Sequence, residues 1–93
     1  MSEKEKRTKF AREIREIARI WREDHINTWN GKTQCDRDMR EVGKADARDL
    51  RRVARLLREG RVTEAAKKLD SLDTIIRDLI PEETYKYLME EIC

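Results

Sequence analysis

The apolar residues of this 93-residue chain recur every three or four positions in separate segments, and this spacing is the strongest constraint on its fold. Residues that repeat in this way share one face of an α-helix. Ser2 and Glu5 form a capping-box pattern, and Asn30 and Gly31 are turn residues. We therefore predict a first helix that begins after Ser2 and ends near residues 25–26, with an apolar face made of Phe10, Ile14, Ile17 and Trp21.

A second helix is predicted between Thr33 and Glu59. Thr33 with Asp36 three residues later is a start signal, and apolar residues follow at helical spacing. Gly43 lies in the middle of this pattern and costs about 1 kcal/mol relative to alanine in a helix interior. Either the helix breaks over residues 42–46, which we expect, or another helix crosses closely at that point.

Gly60 and Pro81 divide the rest of the chain into two further helices. Glycine adopts the left-handed conformation without a Cβ penalty, so Gly60 is expected to end the second helix and Thr63 to cap the third. Pro81 disfavours helix at the preceding residue and suits a first turn. The apolar face of the third helix spans residues 65–79, and that of the fourth consists of Tyr85, Leu88, Met89 and Ile92.

Two short stretches resemble known families. Residues 56–65 (LLREGRVTEA) resemble the turn of tetratricopeptide-type repeats, in which a glycine ends one helix and a Glu-Ala pair begins the next. The stretch occurs once, whereas repeat proteins need several stacked copies. The resemblance implies an antiparallel hairpin of the second and third helices and no peptide-binding groove.

The second resemblance lies near the C-terminus and is limited to five positions. The residues concerned are similar to the end of the small bacterial nucleoid modulators of the Hha/YmoA family, which have an Ile-Pro step followed by an aromatic residue, a lysine and another aromatic residue. This similarity implies a regulator that acts by docking on a nucleic-acid-binding partner. Its five positions are Ile80, Pro81, Tyr85, Lys86 and Tyr87.

Composition supports a small helical domain with a thin core. Charged residues make up 45% of the chain and hydrophobic residues 38%, a balance that suits helices which each bury one narrow apolar stripe. A chain of this length buries only about 60–65% of its unfolded surface. We predict an all-α fold, with residues 1–93 forming a single domain built as a compact bundle of four or five short helices. The periodic apolar residues and the helix caps argue against disorder.

Location is inferred from what the sequence lacks. It has no apolar run long enough to cross a membrane, and its charged start argues against a secretory signal. Cys35 and Cys93 have no second Cys or His at metal-ligand spacing, so free thiols in a reducing compartment are expected. The sequence thus predicts a cytoplasmic protein that binds neither membrane nor metal.

Opposite charges are segregated along the second half of the chain. Residues 44–61 carry seven basic and three acidic side chains, whereas residues 62–93 carry four basic and eight acidic ones. Such segregation usually concerns a binding partner. Trp29 is expected to fold back onto the core. If they are exposed, Trp29 and Tyr87 are expected to contact that partner. The candidate partner-binding residues are Trp29, Tyr87 and the basic stripe Lys44, Arg48, Arg51, Arg52, Arg55, Arg58 and Arg61.

Catalysis is not expected. His25 is the one histidine of the chain, and no Ser, Cys or carboxylate stands at a spacing that marks a triad. No phosphate-binding glycine loop or paired-carboxylate pattern is present. We expect His25 to be a helix-end or surface residue, and we predict a protein that is not an enzyme and holds no cofactor.

Three functions fit these observations. The preferred one is a small intracellular interaction protein, a regulator or inhibitor of the kind that phages and mobile elements carry, which docks its arginine-rich helix on an acidic protein surface. The second is a nucleic-acid-binding or nucleoid-associated factor that uses the same arginines on phosphates. The third is a structural homodimer or oligomer that buries the first or last helix.

The basic stripe also has an interpretation that needs no partner. In this interpretation its arginines form a solvated face and pair with acidic residues of the same chain. The carboxylates best placed in sequence for such pairing belong to the predicted third helix, namely Asp70, Asp73 and Asp78.

Overall fold

The computed structural model describes residues 2–92, which form five helices and no strand. The all-α prediction is therefore confirmed. The helices are α1 (Glu3–Thr28), α2 (Gln34–Arg58), α3 (Val62–Asp70), α4 (Thr74–Arg77) and α5 (Glu82–Met89).

Two long helices of 26 and 25 residues, α1 and α2, dominate the fold. The predicted caps start both of them. The Ser2 hydroxyl accepts a hydrogen bond from the Glu5 N–H at 3.2 Å, and the Thr33 hydroxyl accepts one from the Asp36 N–H at 3.0 Å. The helix α1 runs to Thr28, slightly beyond the predicted end, because the Trp29 N–H still donates to a carbonyl of its last turn.

The helix α2 passes through Gly43 without interruption, so the expected break over residues 42–46 is wrong. Gly43 is buried against α1. A Cβ atom at this position would lie 2.5 Å from both Cβ and Cγ of His25, which is far inside van der Waals contact. The glycine therefore allows α1 and α2 to approach closely, which is the other explanation that the sequence left open.

The turn at Gly60 follows the prediction. Gly60 has a φ of +82°, and the Arg61 N–H donates to the Leu56 carbonyl at 2.9 Å, the bond typical of a glycine that ends a helix. Thr63, however, does not cap α3. The residue before α3 is Arg61, and no side chain caps the helix start, because the helix begins one residue earlier than the predicted cap.

The predicted third helix is divided into α3 and α4 by a turn at residues 71–73. Two local hydrogen bonds explain the interruption. The Ser71 hydroxyl donates to the Lys68 carbonyl at 2.6 Å, and the Asp73 carboxylate accepts from the Ile75 N–H at 3.3 Å. Short polar side chains of this kind compete with the helical backbone pattern, so one helix ends and another begins.

The hydrophobic core lies at one end of the α1–α2 pair. It is built from the first half of α1, the second half of α2 and the three short helices, and its largest fully buried apolar side chains are Ile14, Leu50, Val53, Leu57, Leu69 and Leu88. Thr84 is also buried there, and its hydroxyl donates to the Glu13 carboxylate at 2.9 Å. Between residues 19 and 46, by contrast, only His25 and Gly43 are buried.

The molecule measures 47 × 23 × 20 Å along its principal axes. None of the helices between Ser2 and Ile92 combines the length and the apolar character that a membrane crossing requires.

Candidate arginine-rich binding surface

The arginines of the basic stripe share one exposed side of α2. Four of them follow each other at intervals of three or four residues, which places them in a row along a helix, and Arg52 lies beside this row. Their neighbours in sequence, among them Leu50, Val53 and Leu57, point to the opposite side and are fully buried. The alternation of arginine and leucine or valine thus fixes which side faces solvent. The exposed arginines are Arg48, Arg51, Arg52, Arg55 and Arg58.

Contacts along the two long helices set their register. The Trp21 Nε1–H donates to Asp46 Oδ2 at 3.1 Å, and His25 lies against Gly43. At the other end, Arg58 shares a hollow with residues of the first turns of α1. The first turns of α1 therefore lie beside the end of α2, and the two helices run antiparallel.

This register brings further arginines of α1 beside the stripe. The groove between the two helices has a volume of about 510 Å³ and is lined by six arginines, Arg15, Arg48, Arg51, Arg52, Arg55 and Arg58. Adjacent hollows add Arg12 and Arg19, with Glu16 as the acidic residue lining them. We call the eight residues Arg12, Arg15, Arg19, Arg48, Arg51, Arg52, Arg55 and Arg58 the arginine surface.

Sequence reasoning missed the part of the arginine surface that belongs to α1. Arg12, Arg15 and Arg19 are spaced by three and four residues, which was the available signal. They alternate with Glu13 and Glu16, however, so the three arginines and two glutamates give residues 12–19 a net charge of only +1. Only the antiparallel register shows that the arginines face the groove.

The arginine surface is poor in acidic partners. Arg19 pairs with Glu16 and, at 3.0 Å, with Glu23, and its hydrogen bond lowers the pKa of Glu16. Within residues 2–92, no ion pair or side-chain hydrogen bond involves the other members of the surface, and Asp70 instead lies 3.6 Å from Arg77. Within the described residues, the basic stripe therefore does not form the expected pairs with Asp70, Asp73 and Asp78. It pairs with acidic residues of the same chain only at its two ends.

Lys44 and Arg61, at the two ends of the predicted stripe, behave differently from the arginines between them. Lys44 is half-buried and lies 3.3 Å from Glu41. Arg61 pairs with Glu64 and contacts Glu59 at 3.5 Å, and its hydrogen bond to Glu64 lowers the pKa of that carboxyl. Their charges are partly compensated, and neither side chain lines the groove or the adjacent hollows, so neither belongs to the arginine surface.

Tyr87 does not join the arginine surface. Its ring packs on Phe10, with ring centroids 5.0 Å apart, and its hydroxyl donates to the Glu3 carboxylate. Burial and this hydrogen bond to an acidic group raise the pKa of Tyr87 to about 12. The side chain is thus engaged in holding α5 against the start of α1.

Trp29 is also separate from the arginine surface. It is half-buried at the end of α1, and the side chains that pack against the core do not include it. The expectation that it folds back onto the core is therefore wrong, because the core lies at the other end of the long helices.

His25 lies in the last turn of α1, as expected for a helix-end residue, but it is buried and not a surface residue. Its Nδ1–H donates to the Trp21 carbonyl at 3.0 Å, and its ring packs on that of Trp21 with centroids 4.5 Å apart. These contacts give the imidazole a packing role between α1 and α2. In the part of the chain that the structure describes, no three His, Cys, Asp or Glu side chains are grouped so as to hold a metal ion.

Comparison of the chain with protein-family models, with curated proteins and with solved structures finds no match.

Proposed function

We propose that this protein is a small interaction protein that docks its arginine surface on an acidic surface of a protein partner, as a regulator or inhibitor of a larger assembly. The observation that carries the proposal is the row of exposed arginines on α2 without acidic partners among residues 2–92. Unpaired guanidinium groups repel one another and favour an anionic ligand. Their planar forks suit bidentate pairing with carboxylates.

Two features favour a protein over a nucleic acid as the partner. Residues 62–93 carry eight acidic side chains, which repel a polyanion that extends beyond the groove. The groove is lined by arginines alone, whereas single-stranded nucleic acids are usually bound by aromatic rings interleaved with basic groups. Nucleic-acid binding is the second candidate function, favoured by the scarcity of acidic residues around the arginine surface.

A homo-oligomer built on the apolar stripe of α1 is disfavoured. Phe10 and Ile14 are buried in the core of their own chain, and Ile17 and Trp21 pack against it. This stripe is therefore already covered within one chain.

We also infer that α2 and α3 form the antiparallel hairpin implied by the resemblance to tetratricopeptide-type repeats. The short turn at Gly60 supports it. So does the contact of 3.5 Å between Lys68 Nζ and Asp49 Oδ1, which joins the second half of α3 to the middle of α2.

The proposed function is tested by affinity capture from a lysate of cells that express the protein, with and without nuclease. The test variant is Arg51→Glu with Arg55→Glu. The matched control is Lys67→Glu with Lys86→Glu, which changes the net charge equally at exposed positions outside the arginine surface. We expect one nuclease-resistant protein that the control retains and the test variant loses.

The same experiment also has an outcome that would contradict the docking proposal. Recovery of nucleic acid and nuclease-sensitive proteins alone would overturn the docking proposal and support the second candidate function. In that case, the affinity for DNA falls with salt with a log–log slope near −0.9 for each phosphate neutralised.

A further inference from the structure

We propose that the element of the partner that occupies the groove is an acidic α-helix lying along α1 and α2. This inference rests on the proposed function and adds the shape of the ligand to it. The groove and the hollow beside it lie between two antiparallel helices and have arginines of both helices along their walls. A third helix in such a groove faces guanidinium groups on both sides.

The length of the arginine surface sets the length of the bound segment. On α2 it extends from Arg48 to Arg58, and an α-helix rises about 1.5 Å per residue, so the row is about 15 Å long. The row on α1, from Arg12 to Arg19, is about 10 Å long by the same measure. The groove therefore accommodates about three turns of a partner helix.

The spacing of the arginines matches an acidic helix and not an extended chain. Arg48, Arg51, Arg55 and Arg58 on α2 are spaced by three or four residues, with Arg52 beside them, and this spacing corresponds to about 4.5–6 Å along the axis. Carboxylates at positions i, i+4, i+7 and i+11 of a parallel or antiparallel helix have the same spacing. On an extended strand, side chains of one face are about 6.6 Å apart, so carboxylates and arginines fall out of register within the groove.

The arginine side chains also provide the apolar part of the contact. Each carries three methylene groups below its charged end, and long basic side chains cover apolar surface in this way. Arg15 stands on α1 and Arg51, Arg52 and Arg55 on α2, so these stems form both walls of the groove. An acidic helix with small or apolar residues between its carboxylates fits this surface best.

Two synthetic peptides of about 16 residues, a little over four helical turns, are long enough to span the groove and test the inference. Both contain the same glutamate, alanine and glutamine residues with blocked ends. In the first, the glutamates stand at i, i+4, i+7 and i+11 on one face, and in the second they are distributed around the helix. Affinities for the full-length protein are measured by titration calorimetry, and helix formation on binding is measured by circular dichroism.

We expect the one-face peptide to bind more tightly and to gain helix on binding. An exposed ion pair contributes roughly two- to fivefold to affinity. The distributed peptide loses two of four such pairs, which corresponds to a weaker affinity by about four- to twenty-five-fold. The Arg51→Glu/Arg55→Glu variant should lose this preference, and the Lys67→Glu/Lys86→Glu control should keep it.

Equal binding of both peptides, or binding of neither, would overturn the acidic-helix inference. The lysate capture judges the proposed function separately, because a partner that presents its carboxylates on a loop or a strand is still captured there. A single-stranded oligonucleotide serves as the third probe. Tighter binding of the oligonucleotide than of either peptide would overturn both the acidic-helix inference and the proposed function.

Discussion

The replacement of Gly43 by alanine tests the close approach of α1 and α2 directly. In an unconstrained helix, this change stabilises the protein by about 1 kcal/mol, because alanine favours helix over glycine. Here the new methyl group would lie 2.5 Å from Cβ and Cγ of His25, whereas carbon atoms in contact are about 3.5–4.0 Å apart. The Cβ of His25 cannot rotate away, so the two helices must separate by about 1 Å.

That separation has a cost that exceeds the gain in helix propensity. Inserting a methyl group into a packed contact costs about 1–3 kcal/mol. The hydrogen bond from Trp21 to Asp46, now 3.1 Å long, would lengthen toward 4 Å and weaken, and a bond to a charged group contributes about 1.5–3 kcal/mol. We therefore expect Gly43→Ala to lower the free energy of unfolding by about 2 kcal/mol, which lowers Tm by about 8–16 °C.

Urea denaturation followed by circular dichroism measures the effect, with two comparison variants. Ala45→Gly changes an exposed position of the same helix and should cost about 1 kcal/mol from helix propensity alone. A His25→Gly background removes the three atoms nearest to the new methyl group, and Gly43→Ala should then stabilise by about 1 kcal/mol. If Gly43→Ala stabilised the otherwise unchanged protein, the close contact between α1 and α2 at this point would be refuted.

Two further predictions concern charge. Arg51→Gln should raise the free energy of unfolding by about 0.4–1 kcal/mol at low salt, because it removes like-charge contacts with Arg48 and Arg55. Denaturation at increasing salt concentrations should show this gain in stability shrinking as salt screens the charges. If there were no gain at low salt, the charges of the arginine surface could not be uncompensated. Tyr87 should titrate near 12. The folded pKa of Tyr87 exceeds the value near 10 of an unfolded chain. The protonated hydroxyl of Tyr87 therefore contributes fully to the free energy of unfolding below pH 10, and this contribution is lost as pH rises toward 12. Melting curves of Tyr87→Phe should lack this part of the pH dependence, and an unchanged dependence would contradict the burial of the Tyr87 hydroxyl and its hydrogen bond to Glu3.

Local signals were sufficient to predict most helix ends. Ser2 and Thr33 cap the residues directly after them, and Gly60 ends its helix through its own backbone conformation, so no distant contact was needed. The sequence analysis did not predict the break between α3 and α4. Leu72 and Ile76 continue the apolar spacing across this break. Apolar spacing alone does not reveal a local side-chain cap such as that of Asp73, so one continuous helix was predicted.

Features that depend on contacts between helices were less accessible. Gly43 has the same local cost whether a helix breaks or another helix packs against it, so the sequence left both explanations open. The arginines of α2 were visible as a stripe, but the contribution of Arg15 depends on the register that Trp21 and Asp46 fix. The engagement of Tyr87 by Phe10 joins opposite ends of the chain, which no spacing rule reveals.

The uneven distribution of buried side chains divides the molecule into two regions of different local stability. Where α1 ends and α2 begins, few apolar groups hold the pair together, and such regions open at a lower free energy than the global unfolding transition. We therefore expect amide hydrogens there to exchange through local opening, and those of residues 10–18 and 47–57 to exchange only when the core unfolds. The connection between the two long helices can then be lengthened at about 0.6 kcal/mol per doubling of the loop. An inserted reporter segment at residues 30–32 would leave both the core and the arginine surface folded.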